Sequence, residues 1–139
     1  MFTHHTKNKG DLGVAKATAD LIEQGFMVMT PCTEHAPFDL VAYKDKKFFR
    51  VQVKYRELSK TGTVEVKFAS NWADKYGVHT KNMDKTEVDI ICVYCPQTRT
   101  CYYFNPSLYA SNVTIRLMEA KNKQKKGIIN GKDFLKMQA

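Results

Sequence analysis

Asp39, Gln52 and Lys54 are the residues of this 139-residue chain whose types and spacing most directly suggest chemistry. They lie in PFDLVAYKDKKFFRVQVK, Pro37 to Lys54, where two strand-like runs, Phe38 to Tyr43 and Phe48 to Lys54, flank the polar cluster Lys44 to Lys47. With Asp45 and Lys46 as the loop of a tight hairpin, Lys44 faces Lys47. Counting outward sets Ala42 opposite Phe49, Leu40 opposite Val51, Asp39 opposite Gln52 and Phe38 opposite Val53. Period-two alternation then gathers the apolar residues on one face and Asp39, Gln52 and Lys54 on the other. Opposed strand residues have Cβ atoms roughly 5 Å apart, so a carboxylate and an amide oxygen can share one metal ion with an ammonium group beside it.

Such a constellation suits phosphodiester hydrolysis. A divalent ion neutralises the phosphoryl oxygens and makes hydroxide available at neutral pH, and hard oxygen ligands favour Mg2+ or Mn2+. Asp39 is then the anionic ligand, with Gln52 and the main-chain carbonyl of Val53 as neutral ones. Lys54 orients or acidifies the attacking water and stabilises the transition state. The same residues also fit a plainer arrangement, an acid salt-bridged to Lys54 on a solvated sheet face.

The elements that must position these groups are legible in outline. Leu12, Ala15, Ala19 and Ile22 recur at helical spacing and predict a helix over Asp11 to Gln24, with Gly25 as its stop. Further strands are predicted at Phe26 to Thr30, Thr63 to Ala69, Val88 to Cys95, Cys101 to Phe104 and Val113 to Leu117, and a short helix at Gly131 to Met137. Ser70 to Glu87 reads as a polar, mobile connection. The expectation is an α/β chain with a mixed sheet, folded as one domain over residues 1–139.

Composition narrows the class of partner. The formal net charge of +8 and a pI near 9.3 favour a polyanion, with nucleic acid first and a merely solvated basic surface as the alternative. The first thirty residues lack an apolar signal core, and no run of about 18 apolar residues occurs, so a soluble, cytoplasmic protein with no membrane partner is expected. Cys32, Cys92, Cys95 and Cys101 are then reduced thiols. Cys92 and Cys95 form a CxxC inside the apolar run DIICVYC, without a second pair, and read as buried structural cysteines before a metal or redox site.

The order helix, strand, PFD, hairpin, QVK resembles the PD-(D/E)xK nuclease superfamily in its variant with Gln in the acidic slot. That variant is found in the small homing endonucleases of group I introns that adopt the restriction-enzyme fold. KGDLG (Lys9 to Gly13), VQVK (Val51 to Lys54), EVDIICVYCPQT (Glu87 to Thr98) and TIRLMEAKNKQKKGI (Thr114 to Ile128) match in the same order, so the likeness spans most of the chain. It implies a restriction-endonuclease-like α/β domain, a mixed central sheet flanked by helices, with Asp39, Gln52 and Lys54 catalytic. The activity implied is sequence-specific cleavage of double-stranded DNA by a Mg2+-dependent (or Mn2+-dependent) homodimer or homotetramer. A Holliday-junction resolvase and a nonenzymatic DNA-binding module of the same fold are the alternatives.

Two departures stand out. Related resolvases place a Glu on the first helix four residues after the glycine, where this chain has Val14. Asp11, on nearly the same helical face, either takes over as catalytic and metal ligand or only complements the helix dipole. Pro37 is also separated from Asp39 by Phe38. The expected DNA-binding set is Lys67, then Trp72, Lys75, Tyr76, His79 and Lys81 in the polar segment, then Lys121, Lys123, Lys125 and Lys126 in KNKQKK. The polar segment reads equally as a surface loop, and KNKQKK reads also as a solvated charge run, with the family likeness favouring phosphate contact. Two-fold pairing would supply the two sites that a double-strand break needs, with Leu108, Tyr109, Ile128 and Ile129 as contacts or as core.

Overall fold

The computed structural model describes residues 6–118 and 129–137. Helix α1 runs Thr6–Glu23. It ends as expected: Gly25 takes φ of 91°, donating its N–H to the Ile22 carbonyl while Phe26 donates to Leu21. The buried stripe differs from the expected one. Gly13, Ala17 and Leu21 face the core, whereas Ala15 and Ala19 are exposed and Ile22 is 56% exposed. Size is the reason, because a Cβ at Gly13 would already stand 3.4 Å from Val53 Cγ1 and 3.7 Å from Tyr55 Cβ. The smallest side chains lie where the helix crosses closest, a preference that hydrophobic spacing alone does not express.

The strands are β1 (Met27–Met29), β2 (Leu40–Lys44), β3 (Lys47–Tyr55), β4 (Thr63–Lys67), β5 (Ala69–Asp74), β6 (Gly77–Asn82), β7 (Ile90–Cys95), β8 (Thr100–Phe104), β9 (Asn112–Arg116) and β10 (Ile129–Asn130). A five-stranded mixed sheet has the order β1-β2-β3-β7-β8, with β3 and β7 parallel and the other pairs antiparallel. The β2–β3 hairpin has the expected register, Leu40 with Val51, Ala42 with Phe49 and Lys44 with Lys47. Asp45 and Lys46 both take positive φ, 52° and 66°, the twist that two-residue hairpin loops require.

Alternation splits the sheet into two cores. Val51, Cys92 and Tyr103 pack with Ala17 and Leu21 of α1 on one face. On the other, Ile91, Val93 and Phe104 pack with Val64, Val66, Val113 and Ile115. The second face is therefore covered by another sheet, of order β10-β9-β4, so among the described residues α1 is the single α-helix that flanks the mixed sheet. With both faces buried, β7 is apolar throughout and Cys92 and Cys95 are core thiols, as is Cys101, while Cys32 is exposed.

The segment expected to be a mobile connection is instead a two-stranded ribbon, β5 with β6, in which Trp72 pairs with His79. Asp74 accepts the Tyr76 N–H at the turn and Gly77 takes φ of 119°. Alternation failed to reveal it because β6 buries neither face. A 3-10 turn over Gly131–Phe134 stands where a longer closing helix was expected. No helix of the described residues is long and apolar enough to cross a membrane.

Candidate active site

The hairpin ladder stops at Leu40, and Asp39 is the residue that ends it. Its N–H still donates to the Val51 carbonyl (2.9 Å), but its carboxylate turns onto the edge of β3, where Oδ2 accepts the Val53 N–H at 2.7 Å. The expected pairs of Asp39 with Gln52 and Phe38 with Val53 thus lie outside the ladder, since a side-chain oxygen satisfies the donor that a continuing strand would have met. A strand residue's N–H and C=O leave by the same edge, so the Val53 carbonyl opens beside Asp39 beyond the end of β2.

Gln52 and Lys54 of β3, and Arg56 one residue past its end, alternate onto one side, and with Asp39, Lys9 and Gly10 they line a cleft of about 380 Å³. Lys54 is only 8% exposed. Burial, and then the neighbouring Arg56 charge, push its ammonium down to about 8 against the opposing pull of Asp39. Burial likewise raises the Asp39 carboxyl above its ordinary value, countered by the Val53 N–H and by Lys54. Gln52 Oε1 is buried and has no hydrogen-bond partner among the described residues. A buried acceptor left unpaired costs about 1–3 kcal/mol, so its presence here calls for an external partner.

The donor set fits a hard cation. Asp39 supplies one carboxylate with Oδ1 uncommitted among the described residues, Gln52 supplies the orphaned amide oxygen, and Val53 supplies a carbonyl at the strand edge. No cluster of three or more His, Cys, Asp or Glu side chains suited to a metal occurs among the described residues. One carboxylate with neutral oxygens and retained waters is a magnesium-type arrangement and not a zinc-type one.

Other expected site residues fall elsewhere. Asp11 is exposed on α1 and outside the cleft, which its neighbours Lys9 and Gly10 line instead, and Val14 packs into the core. Lys67 is exposed on β4, Trp72 and Lys81 lie on the ribbon, and Lys75 and Tyr76 are at its tip, with Tyr76 79% exposed. His79 pairs with Asp74 at 3.0 Å. Lys121, Lys123, Lys125, Lys126 and Ile128 lie outside the described residues. Arg56 was missed by the sequence reading, although its place two residues after Lys54 is the signal that finds it.

A larger cavity of about 500 Å³ opens at the opposite end of β3, lined by Phe48, Asp89, Phe104, Leu108 and Phe134. Its Asp89 is paired within the fold: it accepts from Arg50 Nε and NH2, both at 2.9 Å, and from the Arg50 main-chain N–H at 2.8 Å. The orphaned amide oxygen and the buried lysine lie in the smaller, polar cleft.

A family model described as PD-(D/E)XK endonuclease matches residues 4–137. Among solved structures, that of a bacterial homing endonuclease is similar at a TM-score of 0.74, with 24% identity, covering 88% of this chain and 84% of that one. A Holliday junction resolvase from the archaeal hyperthermophile Archaeoglobus fulgidus gives a TM-score of 0.48 and 15% identity over 78% of this chain and 84% of that one. The first likeness is one of fold, and the second is too loose to add to it. No curated protein matches the sequence.

Proposed function

The chain belongs to the PD-(D/E)XK endonuclease family, and from that premise we propose that it is a sequence-specific DNA endonuclease of the homing type, acting as one nuclease domain with a divalent metal. The observation that carries the reading is the buried, unpartnered Oε1 of Gln52 in one cleft with Asp39 and Lys54. Gln in this slot, followed by Lys54, is the pattern of the homing variant, and the fold is shared with a bacterial homing endonuclease.

Asp39, Gln52 and the Val53 carbonyl are the groups to hold the ion. When bound, Mg2+ or Mn2+ would screen the phosphoryl oxygens and favour hydroxide as the nucleophile. Lys54 places a cation beside the developing negative charge, and its lowered affinity for a proton lets it exchange one with the attacking water near neutral pH. Asp39 is anchored through Oδ2, so its free oxygen stays aimed without reorganisation.

Asp11 is a weaker candidate for a further ligand, since it is exposed on α1 and does not line the cleft. Lys67, the ribbon residues Trp72, Lys75, Tyr76, His79 and Lys81, and Lys121, Lys123, Lys125 and Lys126 supply the DNA contacts of this reading, in keeping with the +8 charge. A dimer or tetramer would bring two clefts to two strands. Leu108, 75% exposed, is a candidate contact, with half-buried Tyr109 and Ile129 nearer the core.

Incubation of the protein and Mg2+ with plasmids carrying a library of candidate sites tests the activity. Cutting at one sequence supports the homing reading, cleavage of four-way junctions regardless of sequence supports a resolvase, and no cleavage of either supports a binding module. Light scattering with and without DNA tests assembly, and a strictly monomeric protein that makes double-strand breaks in one encounter overturns the oligomer.

A further inference from the structure

Arg56 is a half-buried cation set next to another. Its NH1 donates to the Tyr55 carbonyl at 2.8 Å, which fixes the plane of the guanidinium, and its remaining nitrogens have no hydrogen-bond partner among the described residues. No carboxylate pairs with it there: Lys9 has Glu57 at 3.8 Å, Arg50 has Asp89 and His79 has Asp74. With Lys9 paired to Glu57, the cleft sets Lys54 and Arg56 against the single carboxylate of Asp39. Partly desolvated charge without a counter-charge is costly, and a cleft that keeps such charge is suited to an anion from outside.

The geometry names the kind of anion. A guanidinium offers a planar fork of donors that matches two oxygens of a phosphate, and here one arm of the fork is already tethered so that the rest is preoriented. Gln52 and Lys54 of β3 and Arg56, one residue past its end with its N–H still donated to the Tyr94 carbonyl, follow one another on one side, where same-face residues of an extended strand stand about 6.6 Å apart. That interval is comparable with the spacing of consecutive phosphates along a nucleotide strand. A substrate strand running along β3 would meet Lys54 with one phosphate and Arg56 with the next.

We propose that Arg56 binds the phosphate adjacent to the scissile one and so sets the register of the substrate strand against Asp39, Gln52 and Lys54. This rests on the nuclease reading of the cleft and assigns it a second phosphate subsite. The role is uniform across sequences, because a phosphate contact carries no base information.

Binding of a random-sequence duplex in Ca2+, followed by fluorescence anisotropy over a range of salt concentrations, reads the contact directly. Wild type gives a linear fall of log affinity with log salt, and Arg56→Gln lowers the slope by about one. Arg50→Gln removes the same charge at the end of β3 where it is already paired, and leaves the slope unchanged. Arg56→Lys keeps the slope but nicks plasmid more slowly with Mg2+, since an ammonium cannot span two oxygens; circular dichroism confirms that each variant is folded. A folded Arg56→Gln with the wild-type slope overturns the proposal, as does an equal loss in Arg50→Gln. Wild type that binds with salt dependence and cleaves plasmid upholds the nuclease reading whatever Arg56→Gln does, whereas wild type that shows no salt-dependent binding overturns both.

Discussion

The two ends of β3 carry the same kind of residue to opposite purposes. At Arg50 the strand presents a guanidinium met by both oxygens of Asp89, beside an aromatic cavity. Two and three steps of the alternation later, Lys54 and Arg56 crowd together beside one carboxylate that is itself committed to a main-chain N–H. One end is closed to further charge and contributes to the fold. The other holds unpaired cations and an orphaned Gln52 oxygen at a cost in stability, which is the pattern expected where a site is shaped for a ligand not supplied by the chain.

The sharpest way to break this contrast is to remove the groups assigned to chemistry. Lys54→Ala and Asp39→Ala each should lower single-turnover cleavage on the order of 10² to 10³-fold while duplex binding in Ca2+ persists. Cleavage at the wild-type rate by Lys54→Ala would show that the cleft has been misassigned.

Gln52→Met separates function from stability. It removes a buried acceptor that has no partner, at little change in volume, so the metal-free protein should gain about 1 kcal/mol in chemical denaturation while Mg2+-dependent cleavage falls. A destabilised Gln52→Met would mean that the amide is satisfied in solution.

The opposite end should behave in reverse. Asp89→Ala strips the Arg50 pair, so the midpoint of thermal unfolding should drop by a few degrees, less at high salt because the pair is partly exposed, with cleavage per folded molecule unchanged. Comparison of melting curves with activity normalised to folded protein decides it. A loss of turnover beyond the loss of folded protein would tie this end to the reaction.

The smallest effect is one of pH, and the two ends differ in where it falls, alkaline for Lys54 and acid for Asp89, with stability rising with pH in both windows. Lys54, brought from 10.5 to about 8 by burial, sheds its proton in the folded state first, so between those values the unfolded state binds more protons and stability rises with pH. Asp89, held below its usual 3.8 by Arg50, contributes stability above that value that is lost as pH falls through its lowered one. Denaturant midpoints of chelator-treated protein should show the alkaline rise vanish in Lys54→Met and the acid loss shrink in Asp89→Asn. An alkaline rise that survives Lys54→Met would assign it to another group.

Much of the scaffold was legible because its signals are local. The register of the β2–β3 hairpin follows from a two-residue turn and period-two alternation, and the apolar run DIICVYC announces a strand covered on both faces. The helix shows what local reading misses: its end was read correctly, but it starts at Thr6 and not at Asp11, and its buried stripe runs through Gly13, Ala17 and Leu21. Close approach to Val53 and Tyr55 selects that stripe, and an approach distance is a property of two elements together. The β5–β6 ribbon escaped because β6 has no buried face to impose a pattern.

By itself, the sequence determined that an acid, an amide and a lysine would meet near the end of a hairpin, because strand alternation and turn length are short-range constraints. Only the tertiary structure decided the state of those groups. Where β2 stops frees the edge of β3 for Asp39 to cap; how deeply the sheets cover Lys54 lowers its hold on a proton; and which side chains fail to arrive leaves Gln52 without a donor and Arg56 without a carboxylate among the described residues. Each of these is a matter of desolvation and of absent partners, and both depend on residues distant in the chain that packing brings near or keeps away.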